Sequence, residues 1–381
     1  MASVVETAPL VLDVGVVLLA AATSGYVARK IGLPAVVGYL LTGLLVSPFT
    51  PGYVADQNQV QILADIGVVL LLFEVGIEID LRRIRREQRA LLWSAPAQVL
   101  VGLVIGTPIF LWLGIPLLGA ALLSLSLAMS SSVVIVNITR SRRRTTDTQT
   151  EDALLGWSVV QDITGVAIAA IVLALFGASE KPLAVSIGGL IAFVALAYLA
   201  AKAIPSLLRL VRWENDLFLI LSVGIGLSIA AIGTVAFDIP MALASFVAGL
   251  AMNQSNDTDQ VRRAVLPFRD LFSVLFFVVI GSLIAPDRII EAAPFALLLL
   301  VLLVALKTAP AMLFARWGKM KVRHAQFAVG LSQVGEFSFV LGAVALAEGA
   351  LTQLQFTSVL LAVVSSIIIS VLWVRAFKPL K

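Results

Sequence analysis

The chain of 381 residues contains no cysteine and a single histidine, His324. Their scarcity excludes disulfides, thiolate metal sites, cysteine nucleophiles and histidine-rich metal centres. Charge is scarce as well: Asp, Glu, Lys and Arg make up 13% of the residues and apolar types 60%. A soluble domain carries about twice that charged fraction. Met1 to Leu10 hold neither Lys nor Arg, so the basic start of a cleaved signal peptide is missing and the first apolar stretch reads as retained. A net charge of +4 is compatible with nucleic-acid binding, but the arginines fall in short blocks between apolar runs. Membrane topology accounts for that pattern better, and no nucleic-acid partner is expected.

What the chain does have is apolar length, with a mean hydropathy of +1.03. Runs such as Ala293 to Leu306 are apolar on every face, whereas strands of a transmembrane barrel alternate. The expected fold is therefore an all-α polytopic membrane protein, with the lipid bilayer as its first partner. Loop signals divide it into thirteen spans, at 9–28, 33–48, 58–79, 90–113, 116–138, 151–176, 183–208, 215–236, 239–254, 265–285, 291–315, 323–347 and 353–377. Alternate connections then collect twenty-four of the twenty-seven Lys and Arg on one side, against Lys181 and Arg288 on the other, with Lys307 left inside a span. A missed or invented helix would scramble that tally. The positive-inside rule predicts an outside N-terminus and a cytoplasmic C-terminus.

The two halves share landmarks. Leu33-Pro34 with Gly43 recurs as Ile239-Pro240 with Gly249 at an offset of 206, and Gly76 with Ile79 recurs as Gly281 with Ile284 at an offset of 205. Landmarks kept in order at a near-constant offset imply a duplicated unit. The offset covers seven spans, an odd number, so the second copy is inverted. The division expected is a first repeat at 1–177 (spans 1–6), a linker helix at 178–212, and an inverted repeat at 213–381 (spans 8–13), all in one transmembrane domain. The same offset carries Ser130, Ser131 and Ser132 of span 5 onto Glu336-Phe337-Ser338 of span 12, beside Gln333 and Gly335. Both positions are candidate breaks, where half-helix ends present dipoles and unpaired backbone groups to an ion.

Asp162, preceded by Gln161, follows the first break inside the apolar stretch Leu154 to Phe176. A charge at that depth costs roughly 2.5 to 3.5 kcal/mol on insertion scales and marks a functional site by default. Burial favours the neutral carboxyl and a bound cation favours the carboxylate, so one group can hold a proton and a monovalent cation in turn. Gln161 offers a neutral amide oxygen in place of hydration water. Lys307 lies near mid-depth of span 11 and needs an anionic counterpart, for which Asp162, Glu336 and Glu74 are the candidates. The serines serve equally as small helix-packing residues. Glu74, deep in span 3, reads as an aqueous-funnel residue, while Glu78 and Asp80 read as solvated partners of the nearby Arg82 to Arg89 cluster.

These segments resemble a known family. Val37-Gly-Tyr-Leu-Leu-Thr-Gly43, Gly67-Val-Val-Leu-Leu-Leu-Phe73, Ala128-Met-Ser-Ser-Ser132, Val160-Gln-Asp162, Phe246-Val-Ala-Gly-Leu250 and Leu331-Ser-Gln-Val-Gly-Glu-Phe337 are similar to the Kef-type members of the monovalent cation:proton antiporter-2 superfamily. The resemblance implies Asp162 as the exchange site and Gln161 as a potassium ligand, since a Gln-Asp pair is similar to potassium/proton exchangers and an Asp-Asp pair to electrogenic sodium/proton ones. It further implies a homodimer with an elevator-like carrier motion, placed in a bacterial inner membrane, with no cofactor beyond the transported K+ (or Na+) and H+. Kef-type proteins commonly continue into a cytosolic nucleotide-binding regulatory domain, whereas this sequence ends at Lys381 after span 13, so that domain or an equivalent subunit is expected to be absent from this chain. Glu74 departs from the apolar or small residue expected there. The expectation is a potassium/proton antiporter and not an enzyme; the alternatives are sodium/proton exchange, a gated cation channel, and intramembrane aspartyl proteolysis using Asp162 with Glu336 or Glu74.

Overall fold

The computed structural model describes residues 4–47, 57–78, 89–131, 134–135, 145–176, 183–237, 239, 241–253, 257–284, 286–335 and 337–377. Among them the regular structure is helical and includes no strand. A helix satisfies its backbone groups internally, which hydrocarbon demands. In chain order the helices are α1 (Val4–Ile31), α2 (Ala35–Leu45), α3 (Gln57–Glu78), α4 (Leu91–Trp112), α5 (Leu117–Ala128), α6 (Thr148–Phe176), α7 (Leu183–Leu210) and α8 (Asn215–Phe237). They continue as α9 (Met241–Met252), α10 (Thr258–Ser282), α11 (Ile289–Leu303), α12 (Ala309–Trp317), α13 (His324–Leu331), α14 (Phe337–Ala347) and α15 (Gln353–Ala376). Among the described residues, eight helical stretches are long and apolar enough to cross a bilayer, the longest running from Pro286 to Trp317. Shorter apolar helices such as α5 and α14 are too brief to span alone. Large apolar side chains left exposed, among them Val11, Leu19, Leu297 and Val301, face where lipid would lie.

Several boundaries differ from those read in the sequence. The span placed at 265–285 begins earlier, at Thr258, because Arg262 and Arg263 sit on the polar first turns of α10 and Pro267 is accommodated inside it. The span placed at 291–315 is one long helix interrupted by a π turn at Val304–Thr308 that contains Lys307. The span placed at 323–347 is two helices, α13 and α14, and α5 stops at Ala128 with Met129 extended (φ −97°, ψ 142°).

The chain forms two compact units. The first comprises residues 1–27, 38–79 and 179–283 and is built on glycine. A Cβ on Gly43 would lie 2.0 Å from the Val278 carbonyl oxygen, on Gly281 2.2 Å from that of Leu40, on Gly76 2.3 Å from that of Phe246, and on Gly249 2.1 Å from that of Phe73. At these crossings only hydrogen fits, so α2 and α3 press their backbones directly onto α10 and α9. Ser24 Oγ reinforces the α1–α2 contact by donating to the Gly38 carbonyl at 2.9 Å. Gly226 of α8 packs against the Phe73 ring.

The second unit comprises residues 28–37, 80–178 and 284–381. Its apolar core gathers Leu91, Ala95, Leu154, Trp157, Ala311, Ala315 and Phe327, with the Trp157 and Phe327 rings edge-on at 5.2 Å. This packing fixes α4, α6, α12 and α13 against one another, and with them the helix ends that make up the site. At the start of α6, Asp147 accepts from Thr150 N at 2.9 Å and Thr150 Oγ1 at 2.8 Å. Burial raises the Asp147 pKa, but these hydrogen bonds and the Arg323 charge outweigh it and hold the carboxyl below its ordinary 3.8.

Candidate functional site

The site is built from two interrupted helices of the second unit. An α-helix leaves its last carbonyls without internal partners, and where α5 ends at Ala128 and α13 at Leu331 those carbonyls are met from the other break. Ser130 Oγ donates to the Leu331 carbonyl at 2.9 Å. The Gln333 amide bridges the Ser131 backbone, its Oε1 accepting from Ser131 N at 2.9 Å and its Nε2 donating to Ser131 O at 3.2 Å. Gly335 N donates to the Met129 carbonyl at 2.9 Å, and Ser338 Oγ to that of Ser126 at 2.9 Å. A Cβ on Gly335 would fall 2.9 Å from the Ser130 carbonyl carbon, so this crossing also requires glycine. From α15, Ser366 Oγ accepts from Val334 N at 3.0 Å.

Lys307 reaches this crossing from the π turn and is fully buried. Its Nζ donates to the Met129 carbonyl at 2.8 Å and the Gln333 carbonyl at 2.6 Å. Both oxygens lie at the C-terminal ends of half-helices, where the dipole is negative, so the ammonium is held by backbone charge. Of the acidic counterparts considered from sequence, Asp162 is buried in this same unit. Glu74 belongs to the first unit and is paired there.

Asp162 and Gln161 lie on α6, with exposures of 2% and 0%, and Gln161 faces the end of α5. Gln161 Nε2 donates to the Ala128 carbonyl at 3.1 Å and to Gln98 Oε1 of α4. Gln161 Oε1 is buried with no hydrogen-bond partner among the described residues, and so is Gln98 Nε2. Thr308 Oγ1, beside Lys307, is a further buried oxygen of that kind. The unit therefore holds a carboxylate, an ammonium, amide oxygens and the carbonyl ends of broken helices in one low-dielectric region. That set can exchange a proton for a cation, because stripping water from a cation requires oxygens already in place.

Asp162, Gln161, Ser130, Ser131, Gln333 and Lys307 are thus brought together. Ser132 and Glu336 lie outside the described residues, as do the Glu78 side chain and Asp80. Glu74 is 3% exposed and is paired with arginine, accepting from Arg262 Nε at 2.9 Å with Arg269 Nη1 at 3.9 Å. The earlier start of α10 brings Arg262, which lies before the span read at 265–285, alongside α3. Gln98 was missed. Its signal was a lone amide in an apolar run, spaced by helical turns from Gly102 and Gly106, whose missing side chains let α4 approach Ala128 and Leu306.

Interrupted helices that turn their ends toward a buried ionisable group are the architecture of secondary transporters, and that is the class this fold and site define. The chain belongs to the transmembrane sodium/hydrogen exchanger family, which matches it over residues 16–377. It is 30% identical over 382 aligned positions to YbaL of Escherichia coli (strain K12), named provisionally as a cation/proton antiporter, covering 95% of this chain and 67% of that protein. Its fold is similar to that of the sodium proton antiporter MjNhaP1 from Methanocaldococcus jannaschii at pH 8, with a TM-score of 0.76 at 17% identity over 96% of this chain and 97% of that one. An electron-microscopy structure of the same antiporter gives 0.64 at 17% identity over 95% and 94%. The protein is therefore an integral membrane cation/proton antiporter, a transporter and not an enzyme.

Proposed function

We propose that this antiporter exchanges potassium for protons, with cation and proton competing for Asp162 and with Gln161 Oε1 as a neutral ligand to the cation. The observation that carries this reading is the buried Gln161-Asp162 pair beside the α5 terminus. With the proton bound the carboxyl is neutral, and with the cation bound it is ionised, so the two ligands exclude each other. An amide in place of a second carboxylate presents a weaker field, which favours the cation whose water shell is easier to strip. Lys307, tied to two half-helix ends, competes with the cation for the Asp162 charge and supports the crossing while the site is empty. Ser130, Ser131 and Gln333 keep the breaks open, with Ser132 and Glu336 as further members; Glu74, clamped by Arg262, supports the first unit instead of a funnel.

The wider reading is an inverted repeat, 1–177 against 213–381 about a linker at 178–212, in a bundle of thirteen spans. Crossed glycine contacts support it. The sequence pairs Gly43 with Gly249 and Gly76 with Gly281, and the contacts made are Gly43 with Gly281 and Gly76 with Gly249, mates exchanged as a two-fold axis requires. The charge asymmetry supports an outside N-terminus and a cytoplasmic C-terminus in a bacterial inner membrane, and the Kef-type resemblance supports a homodimer with an elevator-like motion.

Sodium/proton exchange is the second reading, favoured by the description of the family and by the sodium antiporter among the similar structures. The deciding experiment reconstitutes the protein in liposomes and imposes a pH gradient. Potassium is expected to dissipate it, and Asp162→Asn to reduce the flux to that of empty liposomes. Normal potassium exchange by Asp162→Asn overturns the site, and dissipation by sodium alone replaces the first reading with the second.

A further inference from the structure

We infer that Gln98 is a positioning residue for cation affinity, acting by fixing which end of the Gln161 amide faces the ion. The inference rests on Gln161 being a cation ligand, as proposed above.

A glutamine amide has an oxygen that attracts a cation and an NH2 group that repels one, and a half-turn of the terminal torsion exchanges them. The Ala128 backbone oxygen can only accept a hydrogen bond, so the Gln161 atom 3.1 Å from it is Nε2. That nitrogen has a second N–H. Gln98 Oε1 takes it. Both donors are then consumed inside the protein, and Oε1 is the end left over, buried and without a hydrogen-bond partner among the described residues. A neutral oxygen in that state, next in sequence to the Asp162 carboxylate, is pre-organised for a cation, because no protein hydrogen bond has to break before it binds.

Gln98 suits this task. It is fully buried on α4 and lies one helical turn before Gly102, which lets α4 close on Ala128. Its own Nε2 has no partner among the described residues, so its retained contribution here is the acceptor oxygen. Without that acceptor, the second Gln161 N–H is unsatisfied in a dry site and the amide gains a reason to rotate.

The test measures the apparent KM for potassium and the maximal rate in proteoliposomes for Gln98→Met, Gln98→Glu, Gln161→Met and the double variant Gln98→Met/Gln161→Met. Gln98→Met keeps the length but removes the acceptor, and is expected to raise the potassium KM about tenfold with the maximal rate retained. Gln98→Glu keeps an acceptor for Gln161 and is expected to show a KM no higher than the parent protein. With no amide left to orient, the double variant is expected to match Gln161→Met alone. A parental KM in Gln98→Met, an equal defect in Gln98→Glu, or additive defects in the double variant overturns the role of Gln98. An unchanged KM in Gln161→Met instead overturns the ligand role of Gln161. Should Gln98→Met fail to reach the membrane, Gln98→Asn, polar but too short to meet Gln161, takes its place with the same expected outcome.

Discussion

Both units bring helix backbones into direct contact, but they fill the junction differently. In the first unit the junctions are bare: Gly43, Gly76, Gly249 and Gly281 place hydrogen against carbonyl oxygens, and the charged pair of Glu74 and Arg262 lies to one side. In the second unit Gly335 makes one such approach, and around it Ser130, Gln333, Ser338 and the Lys307 ammonium satisfy the exposed helix ends. A glycine junction itself presents no side chain to titrate or to bind. A broken-helix junction needs polar side chains for its stability, and those same groups are available to an ion. The difference separates a rigid support from a site whose occupancy changes its own energetics.

That contrast can be broken most severely at Lys307. Lys307→Met removes the donor shared by the Met129 and Gln333 carbonyls and leaves the Asp162 charge without its ammonium. A loss of about 3–5 kcal/mol is expected, read as a large fall in the thermal unfolding midpoint in detergent, together with loss of exchange. An unchanged midpoint would mean that the second junction is not held by its cation. A smaller effect, about 1–3 kcal/mol of overpacking, is expected for Gly249→Leu, whose Cβ meets the Phe73 carbonyl. Protein that folds with this change should keep its parental potassium KM, and a shifted KM would show that the bare junction is part of the binding equilibrium after all.

The smallest expected effect is at Asp147, where Asp147→Ala removes the cap of α6 at a cost of about 1 kcal/mol. The sign of its pH dependence follows from a carboxyl held below 3.8 in the folded protein. Between the folded and unfolded values the unfolded chain binds the extra proton, so the stabilisation is complete above 3.8 and fades as pH falls through the lower folded value. Unfolding midpoints of the parent and variant should therefore differ at neutral pH and converge in acid. A gap that persists in acid would assign the effect to packing instead of the carboxylate.

The sequence made Asp162 legible because an ionisable residue in an apolar run has few bland explanations, and it made the junction glycines legible because their spacing recurs. The breaks at Ser130 and Gly335 were legible for a related reason, as clusters of small polar residues where the apolar pattern lapses. The arginine partners of Glu74 were not legible because Arg262 and Arg269 are remote from it in sequence, and Arg262 lies on a helix start that looks like a loop when charge alone is counted. Gln98 escaped because one amide in α4 is unremarkable until Gln161 is seen opposite it. The π turn left no trace, since apolar residues on all sides give no phase from which an extra residue could be detected.

That turn has a consequence away from the ion. A π turn takes one residue more than the α-helical repeat to complete its turn, so everything after Thr308 emerges about 100° less far round the helix axis than an unbroken α-helix would place it. The offset acts as a phase plate between two demands on a single rod. Leu297 and Val301 keep their outward stripe before it, and Ala311 and Ala315 turn inward to the core of Trp157 and Phe327 after it. The facing of α12 is thus written into the same five residues that aim Lys307, and neither can be re-registered without the other.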